Sequence, residues 1–564
     1  MKFSEFSYSR PNLDELLKTI EAYTKRLIEA SNADNQLVVL KEFEKTMGSF
    51  STMATIASIR HTVDTRDKFY EDEKNFYDSN YPLIEEKVQD FNDTLLKSKF
   101  RTELEEKLGT VLFKNMELQS KGFSPEIIPL MQKENELTTE YQKLYASAKI
   151  PFMGKELTIP QLASYKEDKD REVRHAAYEA EGRFFDENRA DFDRIYDELV
   201  KNRTEQAHKL GFKNFVELGY IRQQRNCYGP EGVANFRKQV IEDLVPLVKE
   251  IKEEQAKNIG VDSLKFYDDL FFYTDGNATP HGTPDELLAA AKNMYSEMSP
   301  ETKEFIEMMF DMDLFDVLAK DGKAPGGYCT DIPDYHCPFI FSNFNGTSGD
   351  VDVLTHEAGH AFASFMAEKE IEYACLRQPS MEACETHSMS MEFLTSPWHK
   401  DFFKDDTKKY AVSHAQDGLI FIPYGTMVDN FQEIIYSKPE LTPEERNQVW
   451  LDLEKQFRPY IDFDNLPFYS RGAGWQRQLH IYQYPFYYID YCMAQTVALQ
   501  FFALFLNDKK EAWSKYLDFV KLGGTKTFVD LVRAVGLKAP LDSGCLKQIC
   551  DTIARWLREE KQSN

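Results

Sequence analysis

None of the eight cysteines (Cys227, Cys329, Cys337, Cys375, Cys384, Cys492, Cys545 and Cys550) stands in a C-x-x-C pair, and they are scattered over 564 residues. That spacing excludes a cysteine-zinc motif, argues against a disulfide framework and predicts the reduced thiols of a cytoplasmic protein. No uncharged apolar run approaches the roughly 20 residues of a membrane span. The opening MKFSEFSYSRPNLDELLKTIEAY lacks the apolar stretch that follows the basic residue of a secretory signal. Positive charge is scarce too, with 68 Lys and Arg against 94 Asp and Glu and a formal net charge of -26. Such a field repels phosphate backbones and anionic membrane surfaces, so neither nucleic acid nor membrane is an expected partner. What is present is 42% hydrophobic and 13% aromatic content on a long chain, enough for a large core divided among a few domains.

From Pro11 to about Ala146, charged segments such as LDELLKTIEAYTKRLIEA carry apolar residues at helical spacing, which predicts several long amphipathic helices. The stretch IPFMGKELTIP then breaks the pattern and predicts a short hairpin near a domain boundary. We therefore expect an N-terminal helical domain over 1–160 and a second, catalytic domain over 161–564. Within the latter, GGYCTDIPDYHCPFIFSNFNG predicts a few short strands between Gly326 and Asn345, with PFIFSNFNG as an edge strand for an extended peptide. Helix resumes beyond Asp350, interrupted by the glycine-rich SRGAGW at Ser470 to Trp475, a hinge or a plain turn.

The stretch LTHEAGHAFASFM lies in a segment without proline, from Asp350 to about Lys369, that predicts a helix of about five turns. Val351, Leu354, Ala358, Ala361, Phe362 and Phe365 form its core stripe. Asp352, His356 and His360 share another face beside the small Ala363 and Ala367. Two imidazoles four residues apart sit one above the other and can reach one Zn²⁺. Glu357, turned by about 100°, is placed to act as a general base on a water there, as in the H-E-x-x-H arrangement of metalloproteases. Asp352 is the candidate partner for the far nitrogen of a ligand histidine. Two buried core histidines are the bland alternative.

A catalytic zinc takes three protein ligands and keeps one position open. Positions 363 and 366 are Ala and Met, so the third ligand is not the next turn of the same helix. Downstream, PSMEACETHSMSMEFLTSPW reads as a second helix opening after Pro379 and ending before Pro397. It offers Glu382, Glu385, His387 and Glu392, and spacing leaves the choice open.

The combination of HEAGH with ETHSMSME, Glu385 following His356 by 29 residues, resembles the thimet oligopeptidase and oligoendopeptidase F family of zinc metallopeptidases. In that pattern the third ligand opens E-x-x-S-x-x-x-E, which maps to Glu385, with Ser388 and Glu392 completing it. The resemblance is motif-dense from Gly326 to Phe501. It implies a mainly α, two-part zincin-type metallopeptidase with a small β region beside the catalytic helix and a deep substrate channel. It also implies one zinc per chain on His356, His360 and Glu385, and short peptide substrates, collagen-derived fragments among them. Zinc would lower the pKa of a bound water toward about 7, and Glu357 would take its proton. Relatives carry a histidine and a tyrosine cluster for the tetrahedral intermediate. These map to His480 and, in HIYQYPFYYIDY, to Tyr484 and Tyr491, then Tyr488. Pro485 is expected to open the helix after them, leaving His480 and Tyr484 on a loop. A zinc carboxypeptidase on a similar scaffold and a non-catalytic peptide-binding helical protein are the alternatives, and the sequence sets no oligomeric state.

Overall fold

Asn12, Asn32 and Asp67 each accept a backbone N–H from the first turn of the helix they precede, and the helices Leu13–Glu29, Ala33–Val63 and Lys68–Leu96 follow. Their apolar stripes pack on one another: Ile20, Leu27, Phe43 and Phe91 are buried, and the rings of Phe43 and Phe91 stack at 3.8 Å. The structure, a computed structural model, describes residues 1–320, 322–324 and 326–562. It is mostly helical, as the periodicity requires.

The predicted hairpin is there. Strands β1 (Ile150–Phe152) and β2 (Lys155–Leu157) pair antiparallel, and Met153 and Gly154 turn the chain with φ of 48° and 75°. Positive φ at both central residues is what a two-residue hairpin turn with the right twist demands.

Two compact units form. One gathers Met1–Ser120, Thr279–Thr407 and Gln500–Leu537, and the other gathers Lys121–Ala278, Lys408–Leu499 and the stretch from Lys538. The first contains a three-stranded sheet of β3 (Phe315–Leu318), β4 (Tyr328–Ile332) and β5 (Cys337–Phe344), in the order β3-β5-β4. Strand β5 is parallel to β3 and antiparallel to β4. The segment expected as an edge strand, PFIFSNFNG, is therefore corrected to the centre of the sheet. Its residues from Cys337 to Ser342 are all buried, because neighbours cover both of its sides. The edge on the side of the histidines is β4. The Ile340 N–H bonds to Leu314 O at 3.0 Å, so Ile340 faces β3 while Phe339 and Phe341 face β4. Their partners Thr330 and Tyr328 face β5 in turn, which turns the main-chain groups of Cys329 and Asp331 outward.

Two helices of the same unit, Gly349–Glu370 and Met381–Leu394, lie side by side. Gly359 permits their approach: a Cβ there would stand 2.7 Å from Ser388 Cα and 2.8 Å from His387 O. Gly359→Ala is expected to cost about 1–3 kcal/mol of stability by overpacking, read as a lower urea midpoint. An unchanged midpoint would show that the helices have room to spare. Elsewhere, the helix Tyr488–Asn507 is long and apolar enough to cross a membrane by length and composition only, and 72% of its apolar window is buried inside the protein.

Candidate metal centre

The turn between β5 and the histidine helix is held by Asp350, which accepts the Asn345 and Gly346 N–H groups at 2.8 and 2.7 Å. Those two bonds fix where the helix begins. Val351, Leu354, Ala358, Ala361 and Phe362 are then buried as the predicted stripe, which turns His356 and His360 to another face, half-buried, with ring centroids 5.0 Å apart.

Glu385 enters from the neighbouring helix. Its Oε2 lies 3.3 Å from His356 Nε2 and 3.6 Å from His360 Nε2. Ser388 donates its hydroxyl to the Glu385 backbone O at 2.9 Å and reaches Oε2 at 3.3 Å. Among the described residues, His356, His360 and Glu385 form a group able to hold a metal ion, with one donor atom from each within 4.8 Å of the others. Glu392 takes the other nitrogen of His356, Nδ1, at 2.7 Å. A carboxylate on Nδ1 commits Nε2 to the ligand role. For His356 that partner is Glu392, brought alongside the ring by the second helix. Glu382, buried at 2% exposure, is not in the group.

The electrostatics suit a cation. Burial opposes an imidazolium at His356, yet Glu385 and Glu392 outweigh it and hold its pKa well above the ordinary value. Burial likewise works against the Glu385 carboxylate, but the two histidines keep it ionised well below the usual range. The cluster thus stabilises a positive charge between two imidazole nitrogens and a carboxylate, the donor set that suits zinc. Glu357, buried and outside the ligand group, has its pKa raised by burial, against the pull of His356 and His360. A Cβ on Gly327 would meet Glu357 Oε1 at 3.7 Å, so the chain entering β4 passes close to that carboxylate. Beside them a cavity of 1180 Å³ is lined by Cys329, Asp331, His360, Ser364, Met381 and Glu385 among others. The outward edge of β4 borders it.

In the other unit, His480 sits on a short helix, Leu479–Gln483, and the next helix opens at Tyr488, so neither the loop position of His480 nor a helix start at Pro485 holds. Phe486 adopts φ 67° there and buries its ring against Gly219, where a Cβ would stand 2.4 Å from it. That anchor delays the helix. Ring centroids of Tyr484, Tyr488 and Tyr491 lie 6.3, 4.9 and 5.9 Å from that of His480. Tyr487 joins them at 5.9 Å. It was missed because a run of adjacent aromatics does not reveal which ring turns inward.

The glycine-rich loop before His480 is pinned. Gly472 has φ 80°, and a Cβ there would stand 2.3 Å from Asn447 O. Trp475 Nε1 donates to Asn447 Oδ1 at 2.8 Å, Gln476 Nε2 to Asp193 Oδ1 at 2.7 Å, and Arg477 meets Glu181 at 2.8 Å. The loop is a turn tied down by these contacts.

A helix pair offering two imidazoles and a carboxylate to one cation, in a mainly helical chain, has the makings of a metallopeptidase. Residues 164–550 match the model of peptidase family M3, and residues 3–123 match the peptidase M3 N-terminal domain. The chain belongs to peptidase family M3 and is a metallopeptidase. It is 48% identical to Pz peptidase A in a solved structure with inhibitor 2, covering 99% of both chains with a TM-score of 0.93. It is 23% identical to oligopeptidase PepF of Bacillus subtilis (strain 168), over 97% of this chain and 85% of that one. The fold extends to oligoendopeptidase-F from Enterococcus faecium, at 16% identity, TM-score 0.64, and 98% and 97% coverage.

Proposed function

We propose that the chain is a cytoplasmic, zinc-dependent endopeptidase that hydrolyses internal bonds of short peptides. The observation that carries this reading is the convergence of His356, His360 and Glu385 beside a cavity lined by strand β4, with a buried spare carboxylate, Glu357, nearby. The three would hold one Zn²⁺, which when bound lowers the pKa of water and polarises a carbonyl oxygen. Glu357 takes the proton of the attacking water and passes it to the departing amine, a task its raised pKa favours. His480, Tyr484, Tyr488 and Tyr491 are the candidates to hydrogen-bond the tetrahedral intermediate and hold the peptide. An extended peptide adds to β4 as a further strand, bonded through the main chain of Cys329 and Asp331.

As sequence segments, an N-terminal part (1–160) and a catalytic part (161–564) accord with the gap between the two matched family models, at residues 123 and 164, although in space Met1–Ser120 joins Thr279–Thr407 in one compact unit. Collagen-derived fragments are the candidate physiological substrates. Mass-spectrometric mapping of products from short peptides acetylated at one end and amidated at the other tests the reading. We expect internal cuts with both blocks retained. Activity that demands a free terminal carboxylate would make the protein a carboxypeptidase, and peptide binding without cleavage or metal would make it a binding protein.

A further inference from the structure

A chain of two hydrogen bonds ends on His480. Tyr424 donates its hydroxyl to Gln478 Oε1 at 2.8 Å, and Gln478 Nε2 lies 2.9 Å from His480 Nδ1. An amide nitrogen has protons to give and no lone pair with which to accept. With Oε1 turned to the phenol and Nε2 turned to the ring, the amide presents N–H to Nδ1, and Nδ1 is the bare nitrogen in this arrangement. The neutral ring then carries its proton on Nε2. This is the reverse of a carboxylate–histidine pair, in which the carboxylate accepts a hydrogen bond from Nδ1–H and leaves Nε2 bare to act as a base. The flipped amide, with the phenol accepting, would hold the opposite tautomer, and the two are told apart by the pH test below.

We propose that Gln478, itself held by Tyr424, is a positioning residue that fixes His480 as the Nε2–H tautomer, so that His480 works as a hydrogen-bond donor and not as a base. The inference rests on the reading above that His480 meets the oxyanion.

Each link of the relay is braced. Burial lifts the Tyr424 phenol above its ordinary pKa, against Arg477 and Arg458, so the hydroxyl keeps the proton it donates. The Arg458 guanidinium lies over the Tyr424 ring at 5.0 Å, and the ring stands edge-on to Tyr488 at 6.0 Å. The Gln478 N–H bonds to Trp475 O at 3.0 Å, directly after the pinned glycine turn, and the Ile481 N–H bonds to Gln478 O at 3.1 Å. The backbone around the amide is therefore fixed from both sides. A donor tautomer needs such holding, because in water the two neutral forms of imidazole interconvert freely and only one suits an oxyanion. The titratable groups around the imidazole include Tyr484, Tyr487, Tyr488 and Tyr491, by ring contact. Behind Gln478 stand Tyr424, Arg458, Arg477 and Glu454.

The test uses the zinc-loaded full chain and a quenched fluorescent short peptide, with zinc content and unfolding midpoint recorded for each variant. Gln478→Met keeps side-chain length and removes both hydrogen-bonding ends. It should lower kcat about tenfold with KM within about twofold, part of the roughly 10²–10³-fold that a lost oxyanion donor costs. In a His480→Ala background the same change should cost nothing further. Tyr424→Phe should act in the same direction, more weakly. Gln478→Glu is the discriminating variant. Its carboxylate accepts from Nδ1 and raises the imidazole pKa above about 6.5. Below that raised value the imidazolium still donates from Nε2. Above it the neutral ring is protonated on Nδ1 and the donor is gone. The ratio of Gln478→Glu to wild-type kcat should therefore fall as pH rises from about 6 to 9, while ionisations common to both enzymes cancel. A ratio that is flat or rises with pH, or an equal cost of Gln478→Met with and without His480, overturns the proposal. Wild-type turnover by His480→Ala instead overturns the underlying role of His480.

Discussion

Glu357→Gln is expected to bind zinc at one ion per chain and to lose about 10³-fold in kcat, within the roughly 10²–10⁴ that a general base supplies. Glutamine keeps the volume and the hydrogen-bonding reach of the side chain, so the packing around this buried position survives. It has no site for a proton at working pH. His356, His360 and Glu385 are untouched, and Glu392 still holds His356 Nδ1. The effect should therefore fall on the chemical step alone, with metal content by elemental analysis unchanged and KM nearly so. Wild-type turnover in this variant would remove Glu357 from the mechanism.

The second large effect belongs to Glu385→Ala. Removing it leaves two imidazoles and strips the carboxylate whose Oε2 lies within 3.3 and 3.6 Å of them. Partners that merely orient a ligand cost about 10–100-fold in metal affinity when lost, so a direct ligand should cost more than about a hundredfold. Equilibrium dialysis against buffered zinc should show it, and peptide cleavage should vanish at zinc levels that saturate the wild type. Glu382→Ala is the control, because Glu382 lies one helical turn earlier and outside the group. Its zinc content should stay at one per chain. Normal zinc in Glu385→Ala with loss in Glu382→Ala would move the third ligand.

The histidine helix was legible from local pattern alone, since a 3.6-residue stripe of Leu354, Ala358, Ala361 and Phe365 leaves His356 and His360 a common face. Its observed span, Gly349–Glu370, is within a residue of the expectation at each end. The third ligand was another matter. Glu382, Glu385 and Glu392 share one helix, and which of them meets the histidines depends on how two helices cross, a distance set by Gly359 and by no periodicity. Family resemblance supplied the assignment that spacing withheld. Strand pairing was lost for the same reason: alternation marks Cys337–Phe344 as a strand but says nothing of its neighbours, and β3, four residues long, carried no signal of its own. The Gln478 relay joins a helix near Tyr424 to a turn 54 residues on, a contact that sequence order hides.

In the proposed binding mode, strand β4 would meet an incoming chain through the main-chain amides and carbonyls of Cys329 and Asp331. Such an edge reads the spacing of a guest, not its spelling. It tolerates any side chain that clears the walls, and it notices only missing N–H groups, so proline is admitted at alternate positions and refused at those between.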